Sequence, residues 1–147
     1  MFSVNLKLTN KRLTAILLIF SLSVTVLVAL RLETFAKREA PSVQCSTEDD
    51  VRKYVASFGI ETGEYTVDSV TVPYEFGEVY SSYNKVQLSQ GFDLSGFKGK
   101  TLKRYTFEVL EHPEGENVFA EVLLFDKTVV GADVYSTALD GFIIPLK

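Results

Sequence analysis

The chain has 147 residues, of which 46% are hydrophobic and 23% charged, with one Cys, one His and no Trp. This composition excludes a wholly disordered or fibrous protein. Residues 1–40 contain six Lys/Arg and two acids, a formal charge of +4, whereas residues 41–147 contain nine Lys/Arg and seventeen acids, a formal charge of −8. An acidic body argues against a nucleic-acid-binding protein, because such a protein favours a basic domain.

The N-terminal part of the chain contains a predicted membrane span. Eighteen uncharged residues lie between Arg12 and Arg31. As a helix at ~1.5 Å per residue they extend roughly 27 Å, close to the ~30 Å hydrocarbon core of a bilayer. The stretch is longer than the about 7–15 apolar residues of a secretory signal, and the best cleavage pattern, Thr34-Phe35-Ala36, follows charged residues. The sequence therefore predicts an uncleaved signal anchor over residues 13–32, with a cleaved signal and a secreted protein as the alternative.

The anchor divides the chain into four predicted segments. They are a short basic cytoplasmic N-terminus (1–12), a transmembrane helix (13–32), a linker (33–46) and an extracytoplasmic domain (47–147). The Lys/Arg counts on the two sides of the helix are equal, so the positive-inside rule decides little. The N-terminal amine and the absence of acids before Glu33 favour a cytoplasmic N-terminus. We therefore expect a single-pass protein of the cell membrane that contacts the bilayer through residues 13–32.

The domain is predicted to begin with an amphipathic helix. Thr47 provides an N-cap, and the acids that follow it favour the positive end of the helix dipole. Apolar residues then recur at three- and four-residue steps until Gly59 ends the helix. This apolar face consists of Val51, Tyr54, Val55 and Phe58.

A strand and a second helix are predicted next. Tyr65 to Val72 is dense in Thr and Val and is closed by Pro73. The second helix ends before Gly91, and its apolar positions again follow a helical period. They are Phe76, Val79, Tyr80, Tyr83 and Val86. The glycine-rich loop at 91–100 is expected to return Phe92, Leu94 and Phe97 to the core.

Three strands are predicted to complete the domain. They span Thr101 to Leu110, Val118 to Phe125 and Thr128 to Tyr135, with a tight hairpin at Asp126-Lys127 and a bulge or close packing at Gly131. Residues 139–144 are expected to dock against the core. Short connections predict an antiparallel meander. The predicted fold class is α+β, with an N-terminal transmembrane helix and a small domain of two amphipathic helices on an antiparallel sheet of about four strands.

The sequence predicts no catalytic, cofactor-binding or metal-binding set. His112 lies in a predicted turn, and no G-x-S-x-G motif provides it with a nucleophile. Four carboxylates would serve acid–base chemistry only if they converged in a cleft, and of these Asp133 alone lies inside a strand. The four are Asp93, Asp126, Asp133 and Asp140. The single Cys45 gives no disulfide framework and is expected to be an incidental thiol, with a membrane-proximal intermolecular disulfide as the alternative.

One cationic cluster stands out in the acidic body. We call it the basic lip, and it comprises Lys98, Lys100, Lys103 and Arg104. With the neighbouring glycines it is suited to weak contact with an anionic lipid headgroup or wall polymer. The competing interpretation is a lysine-guarded strand edge that prevents aggregation.

Two stretches of the chain resemble a bacterial family. The stretches are Gly91-Phe92-Asp93-Leu94-Ser95-Gly96-Phe97-Lys98-Gly99-Lys100, continued by Lys103-Arg104-Tyr105-Thr106, and Val130-Gly131-Ala132-Asp133-Val134 with Leu139-Asp140-Gly141-Phe142. They are similar to the domain of unknown function family DUF4830, found mainly in anaerobic Gram-positive bacteria, and the resemblance covers roughly residues 46–145. It implies a membrane-tethered extracytoplasmic domain and assigns no activity, cofactor or catalytic residue.

These observations favour a non-enzymatic binding or interaction module held outside the cytoplasm by its anchor. The missing nucleophile–base pair and metal-ligand set support this expectation. A small hydrolase that uses loop carboxylates is the alternative.

Overall fold

The computed structural model describes residues 42–113, 115 and 117–146, all of which belong to one compact unit of the chain, Glu39–Lys147. The predicted N-terminus, anchor and most of the predicted linker, which are residues 1–12, 13–32 and 33–41, lie outside the described residues. None of the described helices is long and apolar enough to cross a membrane.

The described residues form a five-stranded antiparallel meander. The strands follow one another in chain order, and each pairs with the next. They are β1 (Thr62–Thr71), β2 (Thr101–Val109), β3 (Val118–Phe125), β4 (Thr128–Ser136) and β5 (Ile143–Pro145). The first four confirm the predicted strands to within a few residues. The fifth arises because the docking tail adds to the edge of β4.

Two helices accompany this sheet in the described chain. Helix α1 (Glu48–Ala56) begins at Thr47, whose hydroxyl accepts from the backbone N–H of Asp50 while the Asp50 carboxylate accepts from the backbone N–H of Thr47. This capping box confirms the predicted N-cap. Helix α2 (Glu78–Ser89) ends two residues before Gly91 and is followed by a 3₁₀ turn at Leu94–Phe97. The α+β class predicted from the sequence is therefore confirmed for the domain.

The helices cover opposite faces of the sheet. Side chains alternate along each strand, so β2 directs Tyr105 and Phe107 to the α1 face and Leu102 to the α2 face. Val51 and Val55 of α1 join the first set of buried residues. This two-sided cover explains why β3 is buried along most of its length.

The buried side of α2 differs from the predicted apolar stripe. Val79, assigned to that stripe, is 85% exposed, whereas Tyr80 and Tyr83 pack on the sheet as expected. The fully covered helix positions are instead polar, Asn84 and Gln87. Periodicity locates an amphipathic helix but not its rotation. Here the buried positions make hydrogen bonds, Gln87 to β4 and Asn84 to Asp93 and Leu94 at the 3₁₀ turn.

The connections follow local backbone chemistry. Asp126 and Lys127 both adopt positive φ, 45° and 68°, as a two-residue hairpin with the twist of its strands requires. At Gly131 the structure has both predicted features, because the β3–β4 register shifts beside it and α2 approaches closely. A Cβ atom there would lie 3.1 Å from Leu123 Cδ1 and 3.2 Å from Gln87 Oε1.

The ordered packing begins before the predicted domain boundary at residue 47. The Cys45 N–H donates to the carbonyl of Lys127 at 2.7 Å, and the Val129 N–H donates to the carbonyl of Val43 at 2.9 Å. The Cys45 side chain is 2% exposed and belongs to the α1-side core. Residues 43–45 are thus part of the domain and not of a linker, because they complete the core beside β4.

Candidate functional site

Two buried carboxylates face each other beneath α2. Glu121 on β3 and Asp133 on β4 are direct cross-strand partners on the same face of the sheet. Their exposed fractions are 9% and 2%. Directly opposed like charges destabilise a sheet, so this pair requires polar partners.

Helix α2 provides the hydrogen-bond donors. The Tyr83 hydroxyl donates to Asp133 Oδ2 at 2.8 Å and lies 3.4 Å from Glu121 Oε1. The Gln87 amide donates to the same Asp133 oxygen at 2.9 Å. Burial first, and then Asp133 and Glu121, raise the pKa of Tyr83, so the hydroxyl stays protonated and available as a donor.

Gln87 also binds the backbone of β4, on the side that faces away from β3. Its Oε1 accepts from the N–H of Ala132 at 2.9 Å. One turn later, Gln90 donates to the carbonyl of Ala132 at 2.7 Å and accepts from the N–H of Leu146 at 2.9 Å. The two glutamines therefore provide hydrogen-bond partners for the β4 backbone on its β5 side, beyond the end of β5 at Pro145, and they fix α2 against β4 and the C-terminal tail.

Arg104 is the cation nearest the pair in the described structure. It makes a two-pronged ion pair with Asp68, at 2.8 Å and 2.5 Å, and its Nη1 lies 3.6 Å from Glu121 Oε2. Hydrogen bonding to Asp68 raises the pKa of Arg104, which remains charged. One guanidinium is thus paired with two carboxyl groups, those of Asp68 and Glu121, and among the described residues Asp133 has no ion pair.

The pKa values follow from this imbalance of charge. Burial, and then the neighbouring Asp133, raise the pKa of Glu121 to about 7. Burial raises the pKa of Asp133 to about 6, although the hydrogen bonds from Tyr83 and Gln87 oppose the rise. In contrast, the hydrogen bonds from Arg104 lower the pKa of Asp68. The buried pair therefore binds protons close to neutral pH.

Sequence reasoning found only part of this cluster. It singled out Asp133 as an acid inside a strand, and it gave no role to Glu121 in β3. It missed Tyr83, Gln87 and Arg104 as their partners. The hairpin by itself would not have revealed the pair, because a turn that pairs Leu124 with Val129 would oppose Glu121 to Ala132. The register shift between Leu123 and Leu124 moves the pairing by one residue and so brings Asp133 opposite Glu121 on the same face.

The other predicted acids do not join Asp133. Asp93 caps the 3₁₀ turn by accepting from the Ser95 N–H at 2.9 Å, and it also accepts from Asn84 at 3.2 Å. Asp126 lies in the β3–β4 hairpin, and Asp140 lies in the exposed loop before β5. His112 is partly buried and stacks on Phe142 with ring centroids 5.5 Å apart.

The structure divides the predicted basic lip. Lys98 and Lys100 are exposed in the turn before β2, with the Lys98 ammonium 4.8 Å from the Phe76 ring centroid. Lys103 points to the α1 face and donates to the Tyr105 hydroxyl at 2.6 Å. Arg104 points to the α2 face and is held by its two acids. Strand alternation is the physical reason that Lys103 and Arg104 separate.

An open depression lies next to Arg104 on the α2 face, where the helix does not cover the sheet. Its volume is about 220 Å³, and it is lined by Glu64, Tyr65, Thr66, Thr106, Glu108 and Phe119. The Phe119 ring stacks on Tyr135 at 5.6 Å. Within the described residues, no ion pair involves Glu64 or Glu108. The depression thus combines the carboxylates of Glu64 and Glu108 with the hydroxyls of two threonines and with aromatic surface.

Among the residues that the structure describes, no three His, Cys, Asp or Glu side chains are placed to hold a metal ion. Comparisons of the chain with protein-family models, with curated proteins and with solved structures gave no match. The candidate site is therefore defined by its own geometry. It consists of the depression and, beside it, the buried cluster that fixes α2 to the sheet.

Proposed function

We propose that this protein is a single-pass membrane protein whose extracytoplasmic domain is a non-enzymatic binding module, and that the depression beside Arg104 is its contact surface. The observation that carries the proposal is that Glu64, Glu108 and the aromatic side chain of Phe119 line the same depression. Neither glutamate has a cationic partner in the described chain. Such a surface suits a ligand with a positive charge and an adjoining apolar part.

The electrostatics of the depression support a cationic ligand. The whole segment from Tyr54 to Asn84, which contains β1, has no Lys or Arg. Two described cations lie near the depression. Asp68 already neutralises Arg104, and Arg52 lies over the Tyr65 ring and donates to the carbonyls of Thr62 and Gly63. A ligand ammonium or guanidinium would therefore meet carboxylates without displacing a cation of the protein, and the Phe119 ring would cover its apolar part.

The buried pair supports a positioning role rather than chemistry. Asp133 is 2% exposed, and the oxygen that faces α2 already accepts two hydrogen bonds. A general acid or base must reach the proton that it transfers. The alternative of a small hydrolase that uses loop carboxylates has weaker support, because Asp93, Asp126 and Asp140 each serve a separate loop.

The binding proposal is tested with the full chain in nanodiscs of zwitterionic lipid, which do not themselves attract cations. The probe is a short lysine peptide, and its fully acetylated form is the charge control. We expect the unchanged protein to bind the lysine peptide and not the acetylated peptide. The double variant Glu64→Gln/Glu108→Gln should bind the lysine peptide at least tenfold more weakly. Glu75→Gln, a change on an exposed loop residue, should leave binding unchanged. Equal binding by all three proteins would refute the proposal.

The location is tested separately with C-terminal reporter fusions. Alkaline phosphatase is active only outside the cytoplasm, so a fusion after Lys147 should be active and should stay with the membrane fraction. An inactive fusion would refute the orientation. An active fusion released into the medium, with a new N-terminus near Lys37, would favour the secreted alternative.

A further inference from the structure

We infer that the outer edge of β1 is a docking edge for an extended peptide that alternates basic and apolar side chains, bound by strand addition. The inference deepens the proposed binding function, on which it rests, by naming the partner class and the backbone contacts.

Strand β1 has a free edge in the described structure. It is the first strand in the sheet order, it pairs with β2 alone among the described strands, and its ten residues are mostly exposed. The Val72 N–H donates to the Lys100 carbonyl at 2.9 Å, which places the backbone groups of Val72 on the β2 side. Because hydrogen-bonding direction alternates along a strand, the N–H and C=O groups of Val67, Ser69 and Thr71 point away from β2.

The two edges of the sheet are protected differently. Strand β5 has three residues and ends at Pro145, and short strands and proline discourage pairing with another chain. Strand β1 is more than three times longer and contains neither Pro nor Lys. The edge that is long enough to pair with a peptide is thus also the edge without these protective features.

The charges near β1 specify a basic partner. Glu61 precedes the strand, Glu64 lies near its start, and Glu108 faces the same depression from β2. The cation at this end of β1, Arg52, belongs to α1, and its guanidinium is already held by the Thr62 and Gly63 carbonyls. A second copy of this chain would bring its own acids against them, because symmetric pairing places β1 against β1. A basic peptide therefore suits this edge better than a homodimer does.

Strand alternation specifies the pattern of the peptide. On the α2 face, its side chains would lie beside Glu64 and Thr66 at the depression, where a lysine or arginine is favoured. On the α1 face they would lie beside Tyr65 and Val67, which are 36% and 43% exposed. An apolar side chain is favoured there, because it covers apolar surface. A repeat of basic and apolar residues fits both faces at once.

The experiment uses the full chain in zwitterionic nanodiscs and a capped six-residue peptide of alternating Lys and Val. A second peptide has the same sequence but carries N-methyl groups on alternate residues, at the backbone nitrogens that would otherwise donate to β1. We expect the first peptide to bind and N-methylation to weaken binding at least tenfold, because it removes donors while it retains charge. Equal binding of the two peptides would overturn strand addition but leave the cationic binding site standing, whereas failure of every lysine peptide would overturn both.

Matched protein variants test the same edge. Val67→Pro removes an N–H that points away from β2, so the β1–β2 ladder stays intact and the far-ultraviolet circular dichroism should not change. It should weaken binding of the Lys-Val peptide at least tenfold, whereas Val67→Thr, which keeps the N–H, should not. Unchanged affinity in a folded Val67→Pro protein would overturn the inference. So would the finding that the protein without peptide is a dimer and that Val67→Pro makes it monomeric, because a second copy would then occupy the β1 edge.

Discussion

Glu121 and Asp133 are opposed across β3 and β4, and the Tyr83 hydroxyl lies within hydrogen-bond distance of both carboxyl groups. Two buried acids that are direct cross-strand partners resist double ionisation, since the negative charge of one raises the free-energy cost of ionising the other. The nearest cation of the described structure, Arg104, is shared with Asp68. The domain therefore carries a proton-sensitive pair of carboxyl groups directly beneath α2.

The first prediction concerns the pH dependence of stability. The folded-state pKa of Glu121, about 7, lies above its ordinary value of 4.5. The folded protein thus binds this proton more tightly than the unfolded chain, so the group costs stability as pH rises from about 4.5 to about 7. Glu121→Gln removes that cost. Relative to the unchanged protein, the variant should gain on the order of 2 kcal/mol between pH 5 and pH 8.

Urea unfolding at the two pH values measures this difference. Glu111→Gln, a substitution of an exposed acid, is the control and should show a difference near zero. If the free energy of unfolding relative to the unchanged protein changed little between pH 5 and pH 8 in both variants, the buried pair would not hold a proton at neutral pH.

The second prediction concerns Gln87. Gln87→Leu keeps a side chain of similar size but leaves the Ala132 N–H without its acceptor and removes a donor to Asp133. We expect a loss of on the order of 2–3 kcal/mol in the free energy of unfolding, because buried polar groups lose their partners. Leu88→Ala, at the neighbouring half-exposed position, should cost less than Gln87→Leu, and chemical denaturation of the two variants gives the comparison.

The third prediction concerns the close approach of α2 to β4. An alanine methyl at Gly131 would press on Leu123 and Gln87, at 3.1 Å and 3.2 Å. Gly131→Ala should therefore lower the free energy of unfolding by about 1–3 kcal/mol, as overpacking does. At Gly96 an added methyl would have no atom within 4 Å, so Gly96→Ala should be close to neutral. Similar thermal midpoints for the two variants would contradict the tight helix–strand contact.

The fourth prediction concerns Cys45. Its side chain is 2% exposed, and burial raises the pKa of its thiol. We expect a maleimide to label it slowly in the folded protein and rapidly in denaturant, because the reactive thiolate is both scarce and covered. Rapid labelling of the folded protein, or a disulfide-linked dimer under oxidising conditions, would instead favour the intermolecular disulfide.

The fifth prediction concerns the basic lip. Since Lys98 and Lys100 share the exposed turn while Arg104 is paired elsewhere, two lysines dominate any contact with an anionic surface. At ~1 kcal/mol each they give only weak association. Fragment 39–147 should bind phosphatidylglycerol vesicles weakly at low salt and not at high salt. Lys98→Glu/Lys100→Glu should abolish binding, and Lys85→Glu should not. No binding by the unchanged fragment would refute the contact with anionic surfaces. A guarded strand edge is excluded as the alternative, because β2 pairs with β1 on one side and with β3 on the other.

Local sequence patterns were sufficient for most of the individual elements. Neighbours within a few residues determine the Thr47 cap, the apolar positions of α1 and the Asp126-Lys127 hairpin. Backbone geometry fixes such features wherever the chain folds. For the same reason the antiparallel meander followed from its short connections.

Tertiary structure decided the rotation of α2, the fifth strand and the partners of the buried acids. The apolar repeat placed Val79 on the buried side, yet Asn84 and Gln87 are the buried residues, and both hydrogen-bond to distant parts of the chain, Gln87 to β4 and Asn84 to the 3₁₀ turn. Tyr83 meets Asp133, and Arg104 meets Asp68, only after distant segments pack. Sequence spacing determines which residues can share a face of one element, whereas the energy of a buried charge depends on groups brought from elsewhere in the chain, and these are set only by the complete fold.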